Sequence, residues 1–253
     1  IFSLIGIFVI FGIGLQTVIG VLGAVTAVVL LVFRDTILGF VTGIHVSTSK
    51  NLKIGDWIGI PKYNIEGNIM DINLLTTKIQ NFDKTISTIP TYDLLSTEIR
   101  NHQVMYEGSS RRIKRSIYFN IKSFKFVDDE FYEKVKDINL ISEYMDRKLR
   151  EIAESKKNIP HAERIINGQQ LTNIGLFRNY VLNYLKNNPK VDQDEIVLVR
   201  QLEISPQGMP LEIYCFANKA ELVDYERIQA DIFDHILTAA QEFDLEIMQI
   251  SKV

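Results

Sequence analysis

IFSLIGIFVIFGIGLQTVIGVLGAVTAVVLLVF, residues 1–33, carries no charged side chain, and Arg34-Asp35 ends the run. A stretch of that kind belongs in a bilayer rather than in a soluble core. As one continuous helix it would reach roughly 50 Å, against about 30 Å of hydrocarbon, so a single straight span does not account for it. Gly12 and Gly14 offer a break. The run then divides into residues 1–13, the tail of one spanning helix, and residues 16–33, a complete second span. On this reading the chain lacks its beginning. The run is too long for a cleavable signal peptide, and it has neither a basic start nor a cleavage site.

Small residues in the second span fall in a pattern. Gly20, Gly23, Ala24 and Ala27 recur at spacings of three and four, which marks a stripe where another backbone can approach closely. Two readings follow: a lipid-facing anchor that tolerates small residues, or a helix packed against copies of itself. Residues 36–49 continue as a weakly amphipathic stretch with Ile37, Leu38, Phe40, Val41, Ile44 and Val46, punctuated by Gly39 and Gly43. A second glycine-marked helix lying near the membrane surface is more than a simple anchor needs, and it favours self-packing.

The rest of the 253 residues is polar enough to be soluble and long enough for one or two further cores. A net charge of −3 gives no strong preference for a charged partner, and Cys215, alone, excludes an intrachain disulfide framework. Arg34, Lys50, Lys53 and Lys62, just beyond the apolar run, place the soluble part in the cytoplasm by the positive-inside rule.

Residues 52–89 read as all-β. Short runs around Trp57-Ile58-Gly59-Ile60, 67–71, 74–81 and 85–89 are separated by polar turns, the pattern of a small barrel or sandwich. Asp83-Lys84 is a hairpin connection without the glycine that usually marks one. Further on, Ile117, Phe119 and Ile121 alternate with polar residues as in a half-buried strand. Asp128 and Asp129 cap and open a helix through Val135. Helices are predicted over 141–153 and 171–185, strands over 195–204 and 211–217, a long helix over 223–243 and a last strand over 245–250. That order suits a split βαβ arrangement, helices on a mostly antiparallel sheet.

Catalytic patterns are missing: there is no GxxxxGK[ST], no GxGxxG after a strand, no HExxH and no cysteine pair. Asp231 and His235, one turn apart and beside Asp234, form the best metal-like pair, although a solvated helix face is the commoner meaning of such spacing. Arg111-Arg112-Lys114-Arg115 has the charge to meet phosphates. In nearly neutral surroundings it reads instead as a solvated strand start or a salt-bridge site between subunits, and nucleic acid is not an expected partner.

From Val18 to Ile60 the chain resembles, without a gap, the pore helix and first β-strand of the small-conductance mechanosensitive channel (MscS) superfamily, and the resemblance extends over the whole chain. Phe33-Arg34-Asp35-Thr36-Ile37-Leu38-Gly39, Ile54-Gly55-Asp56-Trp57-Ile58, Ile89-Pro90-Thr91-Tyr92 and Arg111-Arg112-Ile113-Lys114-Arg115-Ser116 resemble the miniconductance branch in particular. So do Val199-Arg200-Gln201-Leu202 and Leu211-Glu212-Ile213-Tyr214-Cys215-Phe216.

The resemblance implies a membrane α-helical pore segment plus a cytoplasmic all-β domain, an Sm-like small barrel, and an α+β ferredoxin-like domain. Its boundaries would be residues 1–14 for the end of a preceding membrane helix, 15–49 for the pore-lining and interfacial helices, 50–108 for the β domain and 109–253 for the α+β domain. The implied assembly is a homo-heptamer in the bacterial inner membrane, multi-pass, with the C-terminal domains in the cytoplasm and membrane lipid and permeating ions as partners. The implied activity is an ion channel opened by membrane tension, which protects against hypoosmotic shock by releasing ions and small solutes. No enzyme activity, cofactor or metal is implied.

Carried over by position, the two rings of the closed gate fall on Ala27 and Leu31, and the packing positions on Gly20, Gly23, Ala24 and Val28. Ala27 is smaller than the leucine expected there, so Leu31 forms the narrowest apolar ring. The later small packing positions are Thr26 and Leu30 here, which loosens the expected closed bundle. The family's kink glycine falls on Asp35, so the bend and pore mouth are assigned to Arg34, Asp35, Gly39 and Gly43. Arg34 and Asp35 either bias ion selectivity or pair between subunits, and pairing is favoured. The competing class is a membrane-anchored cytoplasmic binding or scaffolding module without channel activity.

Overall fold

The computed structural model describes residues 14–48 and 52–249. The chain divides into two compact units, Ile1–Val104 and Met105–Val253. In the first, helix α1 covers Leu15–Val32 and helix α2 covers Arg34–Thr48. Gly14 stands before α1 in an extended conformation; residues 1–13 lie outside the described residues. The two helices meet at Phe33 with a bend of 57°. Hydrogen bonds nevertheless run through the joint, Phe33 N–H to the Val29 carbonyl at 3.0 Å and Ile37 N–H to the Phe33 carbonyl at 2.9 Å.

Among the described residues no single helix is long and apolar enough to cross a membrane, whereas the bent pair passes by length and composition together. The 18 residues of α1 rise about 27 Å, slightly short of the hydrocarbon thickness, which corrects the expectation of a complete span over 16–33.

Five strands follow: β1 (Trp57–Ile60), β2 (Ile65–Ile72), β3 (Thr76–Asn81), β4 (Ile86–Pro90) and β5 (Arg100–Asn101), antiparallel in the order β4-β3-β2-β1-β5. Alternate residues Ile58, Ile60, Ile69, Ile79 and Ile89 turn inward to meet Leu94 in one small core. The β3–β4 hairpin closes without glycine: Lys84 takes the left-handed conformation (φ 72°), and Asp83 accepts from the Thr85 N–H at 2.9 Å. Among the described residues no bridge joins β4 to β5, so the hydrogen-bonded sheet is open rather than a closed barrel. A two-residue β5 is too short to continue a ladder.

The second unit is built on β6 (Arg111–Phe119), β7 (Leu198–Gln201) and β8 (Met209–Ala217), in the order β6-β8-β7. On the outer side of β6 the predicted last strand is reduced to one bridge, Phe119 with Ile247, flanked by Asn120 N–H to the Glu246 carbonyl and Met248 N–H to the Tyr118 carbonyl, both at 2.8 Å. The sequence of edges, C-terminal segment, β6, β8, β7, is that of a split βαβ fold. Helices Asp129–Val135, Asn139–Lys156 and Asn173–Lys186 lie between β6 and β7 in the chain, and Leu222–Ala239 follows β8. Ile121 leaves the predicted strand for a short turn and is 43% exposed.

Phe119, Leu211, Ile213 and Cys215 bury their side chains against Phe177, Val181, Ile232, Ile236 and Phe243. Each such apolar side chain contributes about 1.5–3 kcal/mol. Burial pushes the Cys215 thiol up to about 12, which leaves it chemically inert at neutral pH. The caps are those of the residue types: Asp128 accepts from Phe131 N–H at 2.8 Å, and Thr172 from Gly175 N–H at 3.2 Å.

Asp244, in the left-handed conformation (φ 52°), receives Lys125 Nζ and Lys134 Nζ at 2.8 Å each. These hydrogen bonds, from Lys125 and then Lys134, hold its carboxyl below the ordinary 3.8. A depressed acid stabilises the fold above its unfolded value and loses that contribution as pH falls through the folded one. Asp244→Asn is therefore expected to cost up to about 1 kcal/mol at neutral pH, the groups being some 40% exposed. The gap between variant and wild type should close below about pH 4. Denaturant melts at both pH values check this.

Candidate pore-lining helix

Helix α1 carries no charge, and its small side chains gather on one side. At 100° per residue Gly20, Gly23, Ala24, Ala27 and Leu31 share an arc of about 100°, with Val28 at its margin. Among the described residues nothing covers that side. Nothing lies within 4 Å of a Cβ placed on Gly20 or Gly23, and Leu31 is 73% exposed. Ala27 and Leu31 follow each other one turn apart, and the bend at Phe33 comes two residues after Leu31.

The bend therefore adjoins the Arg34-Asp35 pair, where the apolar run meets its first charges, and Asp35 sits favourably in the first turn of α2. Gly39 and Gly43 lie inside α2, which corrects their assignment to the bend. Gly39 serves close approach instead. A Cβ there would overlap the Leu74 carbonyl oxygen in the turn between β2 and β3 and lie 3.3 Å from its carbon. The same side of α2 buries Thr42, whose Oγ1 donates to the Leu38 carbonyl at 2.8 Å. Ile37, Phe40, Val41 and Ile44, at helical spacing on the opposite side, are exposed.

The other charged candidates are engaged within the chain. Arg111 lies over the Tyr225 ring at 4.4 Å and Arg115 over Phe233 at 4.5 Å. Lys114 is 3.8 Å from the buried Glu212 carboxylate, which Arg200 also holds at 2.6 Å. The basic cluster thus braces its own sheet. Asp231 pairs with Lys190 at 2.6 Å; His235 Nε2 lies 2.7 Å from the Tyr180 hydroxyl, and its ring stacks on Tyr184 at 4.1 Å. Among the described residues no group of three His, Cys, Asp or Glu side chains is placed to hold a metal ion. The sequence reading missed the Leu74 turn as the partner of Gly39, and two consecutive leucines in a hairpin turn were the available signal.

Comparison with known proteins decides the family. The family model described as "Mechanosensitive ion channel, beta-domain" matches residues 35–104, and "Mechanosensitive ion channel MscS, C-terminal" matches residues 162–247. The chain belongs to the MscS family. That family is one of ion channels, not of enzymes. Among relatives, the Low conductance mechanosensitive channel YnaI of Escherichia coli is 23% identical over 82% of this chain and 46% of its own length. The chain spans less than half the length of the curated relatives it matches.

Among solved structures, the cryo-EM structure of Arabidopsis thaliana MSL1 has a TM-score of 0.63 at 16% identity, covering 94% of this chain and 68% of that one. The crystal structure of Helicobacter pylori MscS in its closed state has a TM-score of 0.56 at 17% identity, covering 96% and 73%. At such identities the likeness is one of fold. It places this MscS-family chain with a β domain followed by a C-terminal α+β domain.

Proposed function

We propose that this chain supplies the pore-lining helix and cytoplasmic vestibule of a homo-heptameric, tension-gated ion channel of the miniconductance branch, multi-pass in a bacterial inner membrane. It releases ions and small solutes on hypoosmotic shock. The observation that carries this reading is the small-residue side of α1, uncovered among the described residues, which ends at the 57° bend beside the first charges. Copies packed along Gly20, Gly23, Ala24 and Val28 surround an axis lined by Ala27 and Leu31.

A narrow apolar ring excludes water, so an ion faces a desolvation barrier without any plug. Tension favours the state of larger area in the bilayer and acts only through that difference. Arg34 and Asp35 follow at the mouth, where neighbouring copies pair them. The β domain and the α+β domain lie on the cytoplasmic side.

Patch recording of the full-length protein in liposomes under graded suction tests the proposal. Stepwise currents are expected, and silence up to near-lytic tension would overturn it in favour of a tethered scaffold. Gly20→Leu separates the same two readings. Added bulk where backbones meet is expected to cut channel open events by about tenfold and to reduce the yield of the oligomer, whereas a tether would be indifferent to it. Native mass measurement and recording provide the two readouts.

A further inference from the structure

The β2–β3 turn that meets Gly39 is unusually well braced. Thr91, fully buried, donates its N–H to the Leu75 carbonyl at 3.0 Å and its Oγ1–H to the Asn73 carbonyl at 2.7 Å. Its hydroxyl lies 3.1 Å from Thr77 Oγ1, which must therefore act as the donor in that pair. Asn73 N–H closes the turn onto the Thr76 carbonyl at 2.9 Å. The carbonyls on either side of Leu74 are thus both fixed to one buried residue. The Leu74 carbonyl between them presses on α2 at Gly39, where there is no side chain to meet it. Gly39 and Thr42 are the buried positions of α2 among the described residues.

We propose that Gly39 and the Thr91-braced turn form a clasp through which the β domain holds the helix after the bend, and so sets the resting position of the pore helix. The clasp rests on the channel reading for its consequence but not for its existence. Glycine is required because any Cβ meets a backbone carbonyl, which cannot move aside while Thr91 pins both neighbouring peptides. Thr91 acts through the turn and is a positioning residue.

The test uses the full-length protein with Gly39→Ala, Gly39→Val and Thr91→Val. Hydrogen exchange, which does not depend on channel activity, should quicken about tenfold or more at the amides of 37–43 and 73–77 in Gly39→Val, and less in Gly39→Ala. Alanine favours helix over glycine, so loosened α2 amides in that variant report lost docking rather than a weakened helix. Thr91→Val should quicken exchange at 73–77.

In liposome recordings the tension for half-opening should move in all three variants, in the same direction and most in Gly39→Val. Unchanged exchange in the Gly39 variants would overturn the clasp. Quickened exchange with an unmoved half-opening tension would overturn its role in setting the pore helix. If wild type stays silent under tension, the channel reading fails while the exchange arm still decides whether the clasp exists.

Discussion

Leu31→Ser is expected to open the channel at markedly lower tension than wild type and to raise its spontaneous activity. Among the described residues Leu31 is the most exposed large apolar residue of α1, at 73%, and the last before the bend on the small-residue side. One turn above it stands Ala27, whose methyl group cannot narrow a ring to the same degree, so the proposed channel reading rests the dewetting barrier on Leu31. Serine at that position offers water a donor and an acceptor and removes the isobutyl group to which the proposal assigns its exclusion. A change of only about 0.5 kcal/mol per copy, repeated around the proposed ring of seven, reaches about 3.5 kcal/mol and shifts a closed-to-open equilibrium by between about two and three orders of magnitude. Ala27→Ser should move the threshold far less. Recordings of Leu31→Ser with unchanged threshold and conductance would remove Leu31 from the gate.

How much of this was legible in the sequence depended on whether a residue's partner lay nearby along the chain. The charge-free run and its end at Arg34-Asp35 located the helix pair, and the bend falls beside those charges. Asp128 read as a cap and is one, because its partner, Phe131 N–H, is three residues away. The Asp83-Lys84 hairpin was legible for the same reason.

Gly39 was misread because glycine permits a bend, a positive φ or a close approach. Only the contact with Leu74, 35 residues on, shows that this one serves approach. Strand β5 has two residues and so no period to detect, and the C-terminal strand pairs by a single bridge. The basic run on β6 read as a solvated strand start or a salt-bridge site between subunits; Arg112, Lys114 and Arg115 are exposed, and the partners of the run, Tyr225, Phe233 and Glu212, come from distant parts of the same domain. A gate ring is a property of several copies. One chain displays only the uncovered side that such copies would share.

The largest stability loss is expected from Asn173→Ala, at a residue whose importance no periodicity could reveal. It sits at the start of helix Asn173–Lys186, fully buried, and serves four backbone groups from separate segments. Its Oδ1 accepts from Lys125 N–H at 3.0 Å and Ile174 N–H at 2.9 Å; its Nδ2 donates to the Ser123 carbonyl at 2.9 Å and the Phe243 carbonyl at 3.1 Å. The side chain thus ties the loop after β6, the helix start and the end of the last helical turn into one corner of the domain. Alanine removes all four bonds and leaves the polar groups in a place that water reaches poorly, at about 1–3 kcal/mol for each one left unmet. Allowing for partial relaxation, a loss of about 3–4 kcal/mol is expected, or roughly 10 °C in the melting of this domain. Asn183→Ala, which removes a single bond to the Leu140 carbonyl at 2.6 Å, should cost about 1 kcal/mol. Thermal and denaturant melts of the two variants side by side decide the matter. Equal, small losses would mean that water replaces Asn173 at its corner, and that the domain is closed by its apolar core alone.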